Sequence, residues 1–309
     1  MIFLKGPGSI SVKVPPYNLN KYYSNGQLYL QNKLDPKEPE SIPDPDFIDP
    51  PQLFLCNSVG LPFWCSNCRS IKTQRAHHSS KLGHCIPKFD HYCLYIGTII
   101  AQNNFTWFLC FVMCFEVLFI YIYVATFANS RSVLNYGSEN TLHPAAIIMV
   151  ACNGFFSLML LALNFSFARV FKFNETSVDF LQIGKAKQYR FKLYSKRKSL
   201  RDFLFPTKLN RDQTYAQFIN TQRYVNVEHP DQLNIRVVLP LPENQHPFNK
   251  GRWENFIDWF RKYDFQTAEE VVVHEETTFS NTFKSWVFQQ VKAGEGHIFG
   301  SADITPVTV

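Results

Sequence analysis

The chain has 309 residues and a formal net charge of +6, a length that fits one large domain or two modest ones. Its average hydropathy is mildly polar, yet two long apolar runs interrupt it, which excludes a uniformly soluble polypeptide. Neither run sits at the N-terminus with signal-peptide flanks, so neither reads as a cleaved leader.

In chain order, residues 1–55 are polar and proline-rich. Pro36, Pro39, Pro43, Pro45, Pro50 and Pro51 break any long helix, and the expectation is an extended segment lying against a membrane face. Cys56 has no partner at a useful spacing and reads as a linker residue, with acylation as the sharper alternative. Residues 56–104 form a Cys/His knuckle, in which Gly83 and Pro87 suit tight turns. Cys65-x2-Cys68, His78 and Cys85 supply three thiolates and an imidazole, enough for one closed, structural zinc site. His77 competes with His78 for the metal, and His84 adjoins Cys85 too closely for both to reach one ion. Then comes Asp90-His91-Tyr92-Cys93. Cys93 stands outside the zinc set. A thiol becomes nucleophilic once deprotonated, His91 is the local base, and Asp90 can orient its ring.

Residues 105–128 carry a single charge, Glu116, and residues 144–170 carry none before Arg169. Each can cross a hydrocarbon core of about 30 Å. A buried helix of a soluble protein has the same composition, but two such runs joined by a short polar loop favour a membrane hairpin. Basic residues crowd both outer flanks, whereas the connecting loop 129–143 has only Arg131, so the long polar regions are expected in the cytosol. There thiols stay reduced, and the eight cysteines point to metal or catalysis rather than disulfides. Cys110, Cys114 and Cys152 fall inside the spans and read as packing residues.

From 171 onward the chain is polar again. Residues 180–201 hold eight Lys or Arg and no acid, interleaved with Tyr189, Phe191 and Tyr194. Directly after a span, anionic lipid headgroups are nearer partners than nucleic acid, at about 1 kcal/mol per basic residue. Residues 235–242 and 270–274 read as short strands, and 253–260 as an amphipathic helix. No internal repeat is evident. The sequons at Asn104, Asn164 and Asn174 fall in the membrane or on its cytosolic side and are discounted as glycosylation sites.

The knuckle resembles the cysteine-rich domain of the DHHC protein S-acyltransferases, in its fungal DHYC form. Against the family pattern C-x2-C-x9-H-C-x2-C-x2-C-x4-D-H-H-C-x5-C-x4-N, the chain reads Cys65, Cys68, His78, Ser79, Leu82, Cys85, Asp90, His91, Tyr92, Cys93, Ile99 and Asn104 without a gap. Arg75 and Lys88 match as well. Thr176-Ser177-Val178-Asp179 resembles the family's Thr-Thr-x-Glu motif, and His246 to Gly251 with the nearby Asn255 resembles its C-terminal motif. The likeness is strong over residues 56–180 and weaker over 246–260.

The resemblance implies an enzyme in which Cys93 takes the acyl group from palmitoyl-CoA and passes it to cysteines of membrane-associated proteins. His91 would act as base and Asp90 as its orienter, with Thr176, Ser177, Asn104 and Asn255 in support. The implied partners are the bilayer, acyl-CoA and substrate proteins with cytosolic cysteines, and no nucleic acid. Phe105, Trp107, Phe108 and Phe111 are candidates to line an acyl slot, and basic residues at its cytosolic mouth to meet the CoA phosphates. The family binds two zinc ions. The first set maps onto Cys65, Cys68, His78 and Cys85, but the second maps onto Ser79, Leu82, Tyr92 and Ile99, none a usual ligand, so one zinc is expected. Apolar packing of Leu82, Tyr92 and Ile99 is expected to replace the other ion.

The implied fold class is an α-helical integral membrane protein with both termini cytosolic, in the plasma membrane or an endomembrane. It combines a zinc domain of short β-hairpins (56–104), a transmembrane hairpin (105–170) and a mixed cytosolic region (171–309). The family has four spans, two of them before the knuckle. Lys5-Gly6-Pro7-Gly8 resembles the family's segment just beyond the second span, so the chain is expected to be part of a longer one. The alternative reading is a truncated or inactive zinc-bearing membrane adaptor.

Overall fold

The computed structural model describes residues 6–10, 12–19, 22, 47–73, 75–129, 144–194, 211–261 and 265–299. Most of the loop 129–143, the prolines at 36, 39, 43 and 45, and Lys196, Arg197, Lys198 and Arg201 lie outside the described residues.

Two long helices dominate, α1 (Phe105–Ala128) and α2 (Pro144–Phe173), and both are long and apolar enough to cross a membrane. They run antiparallel. Ser157 Oγ donates to Glu116 Oε1 at 3.1 Å, Asn153 Nδ2 to the Phe119 carbonyl at 3.1 Å, and the Tyr123 hydroxyl to the Val150 carbonyl at 3.3 Å. These partners climb one helix while descending the other. Gly154 permits the approach, since a Cβ there would lie 2.4 Å from the Tyr123 hydroxyl. Small residues and interhelical hydrogen bonds are what hold helices together where the surroundings are as apolar as the side chains. The remaining faces display Met113, Val117, Leu118, Tyr121, Ile148, Phe155, Leu158 and Phe165 outward. A core helix of a soluble protein would bury those side chains, so the outward apolar belt suits helices placed in a membrane. Cys110, Cys114 and Cys152 are also exposed on the helix surfaces. Among the described residues they do not pack against the partner helix as buried side chains.

Below the helices lies a four-stranded antiparallel sheet, built from β1 (Leu53–Cys56), β8 (Tyr224–Glu228), β9 (Arg236–Pro240) and β10 (His297–Ile298) in that order. In the β1–β8 ladder Leu53 faces Val227 and Cys56 faces Tyr224. The expected boundary between residues 55 and 56 thus runs through a strand, and Cys56 is a buried core residue rather than a linker. The segment before it does not merely rest on a surface. Val14, Tyr17, Leu19 and Tyr22 enter a core with Phe54, Ile71, Val238 and Phe299. Arg236, fully buried, fastens that arrangement: its Nε donates to Asn226 Oδ1 at 2.6 Å and its Nη2 to the Pro51 carbonyl at 2.8 Å. Burying so polar a group is tolerated because it is hydrogen-bonded.

Helices α3 (Ser177–Tyr194), α4 (Arg211–Thr221), α5 (Arg252–Phe260), α6 (Ala268–Thr278) and α7 (Asn281–Lys292) complete the fold. The strand expected over 235–242 is β9 and the helix expected over 253–260 is α5. Residues 270–274 are helical, contrary to expectation. Thr267 caps α6 by accepting from the Glu270 N–H, and Glu269 and Glu270 in the first turn suit the helix dipole. Those end effects, with burial of Val271 and Val272 on one face, override the β preference of three successive valines.

Candidate functional site: a metal knuckle beside an Asp–His–Cys group

The knuckle is three short antiparallel hairpins: β2 (Trp64–Cys65) with β3 (Ser70–Ile71), β4 (His77–Ser79) with β5 (His84–Ile86), and β6 (His91–Cys93) with β7 (Thr98–Ile100). Gly83 and Gly97, both with φ of +71°, close the last two turns in a left-handed conformation open to glycine. Those two hairpins repeat. His77 pairs with Ile86, His78 with Cys85 and Ser79 with His84; shifted by 14 residues (91 minus 77), His91 pairs with Ile100, Tyr92 with Ile99 and Cys93 with Thr98. The repeat escapes a sequence reading because backbone register recurs while side-chain chemistry does not.

Cys65, Cys68, His78 and Cys85 come together, one ligand atom from each lying within 4.8 Å of the others, so this cluster can bind a metal. The Cys68 and Cys65 sulfurs approach His78 Nδ1 at 3.3 and 3.5 Å, which selects Nδ1 as the donor. His77 instead packs at a tilt against Phe89, and half-buried His84 contacts the Leu82 carbonyl at 2.8 Å. Burial pushes the Cys85 thiol up, while bonds from the Cys68 N–H and neighbouring thiols bring Cys65 down against its own burial. A bound cation would keep all three sulfurs ionised. Three thiolates and an imidazole without a carboxylate suit zinc in a structural, closed site.

In the repeated hairpin the positions of His78 and Cys85 are held by Tyr92 and Ile99. The expected apolar plug is only partly present. Ile99 is buried against Ile86 and Phe89, but Leu82 and Tyr92 are exposed. The Tyr92 hydroxyl donates to the Gly97 carbonyl at 3.2 Å and Lys81 Nζ lies 3.9 Å from its ring centre. A phenol, too polar to bury without a partner, caps its own turn and stays wet.

Alternation along β6 puts His91 and Cys93 on one face and Tyr92 on the other. Asp90, 2% exposed, accepts from His91 Nδ1 at 2.7 Å, and its other contacts come from across the molecule. The Ser177 N–H donates to Asp90 Oδ1 at 2.6 Å and the Ser177 hydroxyl to Oδ2 at 3.0 Å. Ser177 opens α3, where Thr176 and Asp179 cap each other: the Thr176 N–H reaches Asp179 Oδ2 at 2.9 Å and the Asp179 N–H reaches Thr176 Oγ1 at 3.1 Å. Buried Cys93 belongs to an apolar cluster with Phe105, Phe108, Val112, Leu160 and Phe167, at the foot of α1 and α2. Phe108 meets the His91 ring edge-on at 5.4 Å. Of the expected slot residues, Phe105 and Phe108 are buried, Trp107 packs on the cluster and Phe111 faces outward.

Two asparagines shape the surroundings. Asn104 accepts from the Ala101 N–H at 2.9 Å and donates to the Ile99 carbonyl at 2.8 Å, turning β7 into α1. Asn255 donates to the Phe171 and Lys172 carbonyls at 3.0 and 3.1 Å, satisfying the open end of α2. Behind the site, Arg75 donates to Asp179 at 3.2 Å and lies 4.2 Å from the Phe248 ring centre. A cavity of about 440 Å³ opens there, with Lys72, Arg75, His77 and Lys185 among its walls. Burial and Lys72 hold the His77 imidazole below its ordinary value, against the pull of Asp179. The Lys88–Asp258 ion pair, buried beneath Asp90, was not foreseen, because nothing in the local pattern joins residues so far apart.

A knuckle able to bind a metal thus lies beside Cys93 at the foot of two apolar helices long enough to cross a membrane. Residues 61–183 match the family described as DHHC palmitoyltransferase, and the chain carries that domain. Among similar proteins, Palmitoyltransferase PFA5 of Candida albicans is 29% identical over 259 residues, covering 84% of this chain and 56% of that protein. Palmitoyltransferase PFA5 of Saccharomyces cerevisiae is 30% identical over 205 residues, covering 63% and 54%. A probable protein S-acyltransferase 1 of Arabidopsis thaliana is 34% identical over 70 residues, 23% of this chain and 21% of that protein. The chain spans about half the length of the fungal relatives.

Proposed function

We propose that the chain is a protein S-acyltransferase working from palmitoyl-CoA. The observation that carries this is the hydrogen-bonded series Ser177–Asp90–His91, leading to a β6 face that also bears Cys93. Asp90 fixes His91 Nδ1, leaving Nε2 to take the proton of the Cys93 thiol. The thiolate then attacks the acyl-CoA carbonyl carbon, the carbon–sulfur bond to CoA breaks, and the CoA thiolate recovers the proton from His91. Acyl-Cys93 undergoes the same exchange with the thiol of a membrane-associated protein. Each step replaces one thioester by another, so no external energy source is needed.

The same surroundings suit the acyl donor. The acyl chain lies along the cluster of Phe105 and Phe108 between the helices, where each buried methylene contributes about 0.8 kcal/mol. The CoA phosphates meet Lys72, Arg75 and Lys185 in the adjoining cavity, whose wall includes Asp179, two residues from Ser177. Cys65, Cys68, His78 and Cys85 hold one structural zinc that stiffens the hairpins, and Thr176, Asn104 and Asn255 support the fold around the thiol. The basic flanks of the spans favour a cytosolic side for the knuckle and the sheet.

Labelling the purified chain with an alkyne palmitoyl-CoA tests the assignment. Hydroxylamine-sensitive label on wild type that vanishes in Cys93→Ser is the expected result. Equal label on both removes Cys93 from the mechanism, and no label on either leaves a zinc-bearing membrane adaptor.

A further inference from the structure

Lys88 and Asp258 are both almost completely buried, 170 residues apart in sequence, and form a direct ion pair. Lys88 occupies a left-handed backbone position (φ +43°) two residues before Asp90. Its ammonium also donates to the Asp258 carbonyl at 3.2 Å and lies 4.9 Å from the centre of the Trp259 ring. Trp259 in turn packs on Phe105 at 4.3 Å, within the cluster that contains Cys93. The same Asp258 Oδ2 accepts from Asn174 Nδ2 at 3.0 Å. Asn174 begins the short connection that ends at Ser177, the donor to Asp90.

One carboxylate oxygen therefore gathers both chain segments that meet at Asp90: residues 88–90 through Lys88, and residues 174–177 through Asn174. We propose that Asp258 is a positioning residue for acyl transfer, holding Lys88 and Asn174 so that Asp90 presents His91 to Cys93. The proposal rests on the S-acyltransferase reading above.

The electrostatics fit a buried, directly paired contact. Burial and the nearby Arg75 push the Lys88 ammonium down to about 7, against the pull of Asp258, with Lys250 adding to the push. Asp258, despite its own burial, is held well below the usual carboxylate range by Lys88, Asn174 and Arg75. His274 lies near both charges and is itself held low by burial. A buried ion pair contributes little net stability compared with apolar side chains of similar volume. Geometry, rather than stability, is what this pair provides.

That distinction supplies the test. Single-turnover acylation of Cys93 by palmitoyl-CoA is measured on the full chain in nanodiscs, alongside zinc content and thermal midpoint. Asp258→Asn and Lys88→Met are expected to slow acylation roughly tenfold to a hundredfold, with the concentration of palmitoyl-CoA at half-maximal rate within about twofold of wild type. Asp258→Glu recovers part of the rate. The decisive protein is the double variant Lys88→Met/Asp258→Leu, which removes both charges and is expected to keep zinc and to melt close to wild type. If it stays slow, positioning is the role; if it acylates within about twofold of wild type, the proposal is overturned. Wild type that takes up no label overturns both this proposal and the reading it rests on, whereas labelled wild type and equally labelled Asp258→Asn overturn this proposal alone.

Discussion

Ser177 grips Asp90 at both carboxylate oxygens, by its main-chain N–H at 2.6 Å and its hydroxyl at 3.0 Å. A carboxylate held in this way cannot rotate, and the imidazole it accepts from inherits the restraint. Ser177→Ala deletes the hydroxyl bond and spares the N–H. A hydrogen bond to a charged group contributes about 1.5–3 kcal/mol, so acylation of Cys93 is expected to slow by about tenfold to a hundredfold. Ser177→Thr, which keeps the hydroxyl, should remain close to wild type in the same labelling assay.

Metal content is the next check. Elemental analysis of the purified chain should give about one zinc, since the third hairpin offers Tyr92 and Ile99 where the second offers His78 and Cys85. Cys68→Ser should lose that zinc and lower the melting temperature, whereas Tyr92→Phe should retain it. A value near two ions per chain would refute the single-site reading.

The helix seam has a sensitive point at Gly154, with the Tyr123 hydroxyl where a Cβ would stand. Gly154→Leu must displace Tyr123, break its bond to Val150 and push the helices apart, at a cost of about 1–3 kcal/mol. The outward-facing Leu118 serves as the control. Leu118→Ala should leave the thermal midpoint in nanodiscs nearly unchanged, and equal effects of the two substitutions would argue against the seam.

Acid sensitivity should be traceable to His274. Burial pulls its imidazole down to about 4 from the ordinary 6.5, so the folded chain resists charging it. The neutral ring carries no penalty above pH 6.5. As pH falls from 6.5 to about 4 the unfolded state binds the proton first, and stability is lost across that window. Allowing for its partial exposure, the loss attributable to His274 is on the order of 1–2 kcal/mol. His274→Gln should flatten the pH dependence of the melting temperature between pH 4 and 6.5; an unchanged slope would point to other groups.

Local chemistry was legible in the sequence and distant pairing was not. Cys65, Cys68, His78 and Cys85 declare themselves by ligand type and spacing, and the two helices by length and apolarity, because both signals are contained in short windows. The valines at 271–273 misled because β-branched residues favour strands only when a neighbouring strand receives them, and here a capped helix buries Val271 and Val272 and leaves Val273 exposed. Leu53–Cys56 gave no sign of its role, since its partner strand begins at Tyr224. Lys88 could be noticed beside Asp90, but Asp258 on α5 had no reason to be joined to it until the chain was folded.

The β1–β8 ladder also sets a rule of parity. Cys56 and Tyr224 lie on either side of both apolar helices in the chain, yet they sit opposite each other in one sheet. Strands can pair only on the same side of a bilayer, so the chain between them must cross it an even number of times. A molecule that threaded one helix and left the other behind would strand the two halves of the sheet on opposite sides. Val225, Val227 and Phe54 would then have no core to enter. The sheet can therefore close only when both helices have been threaded.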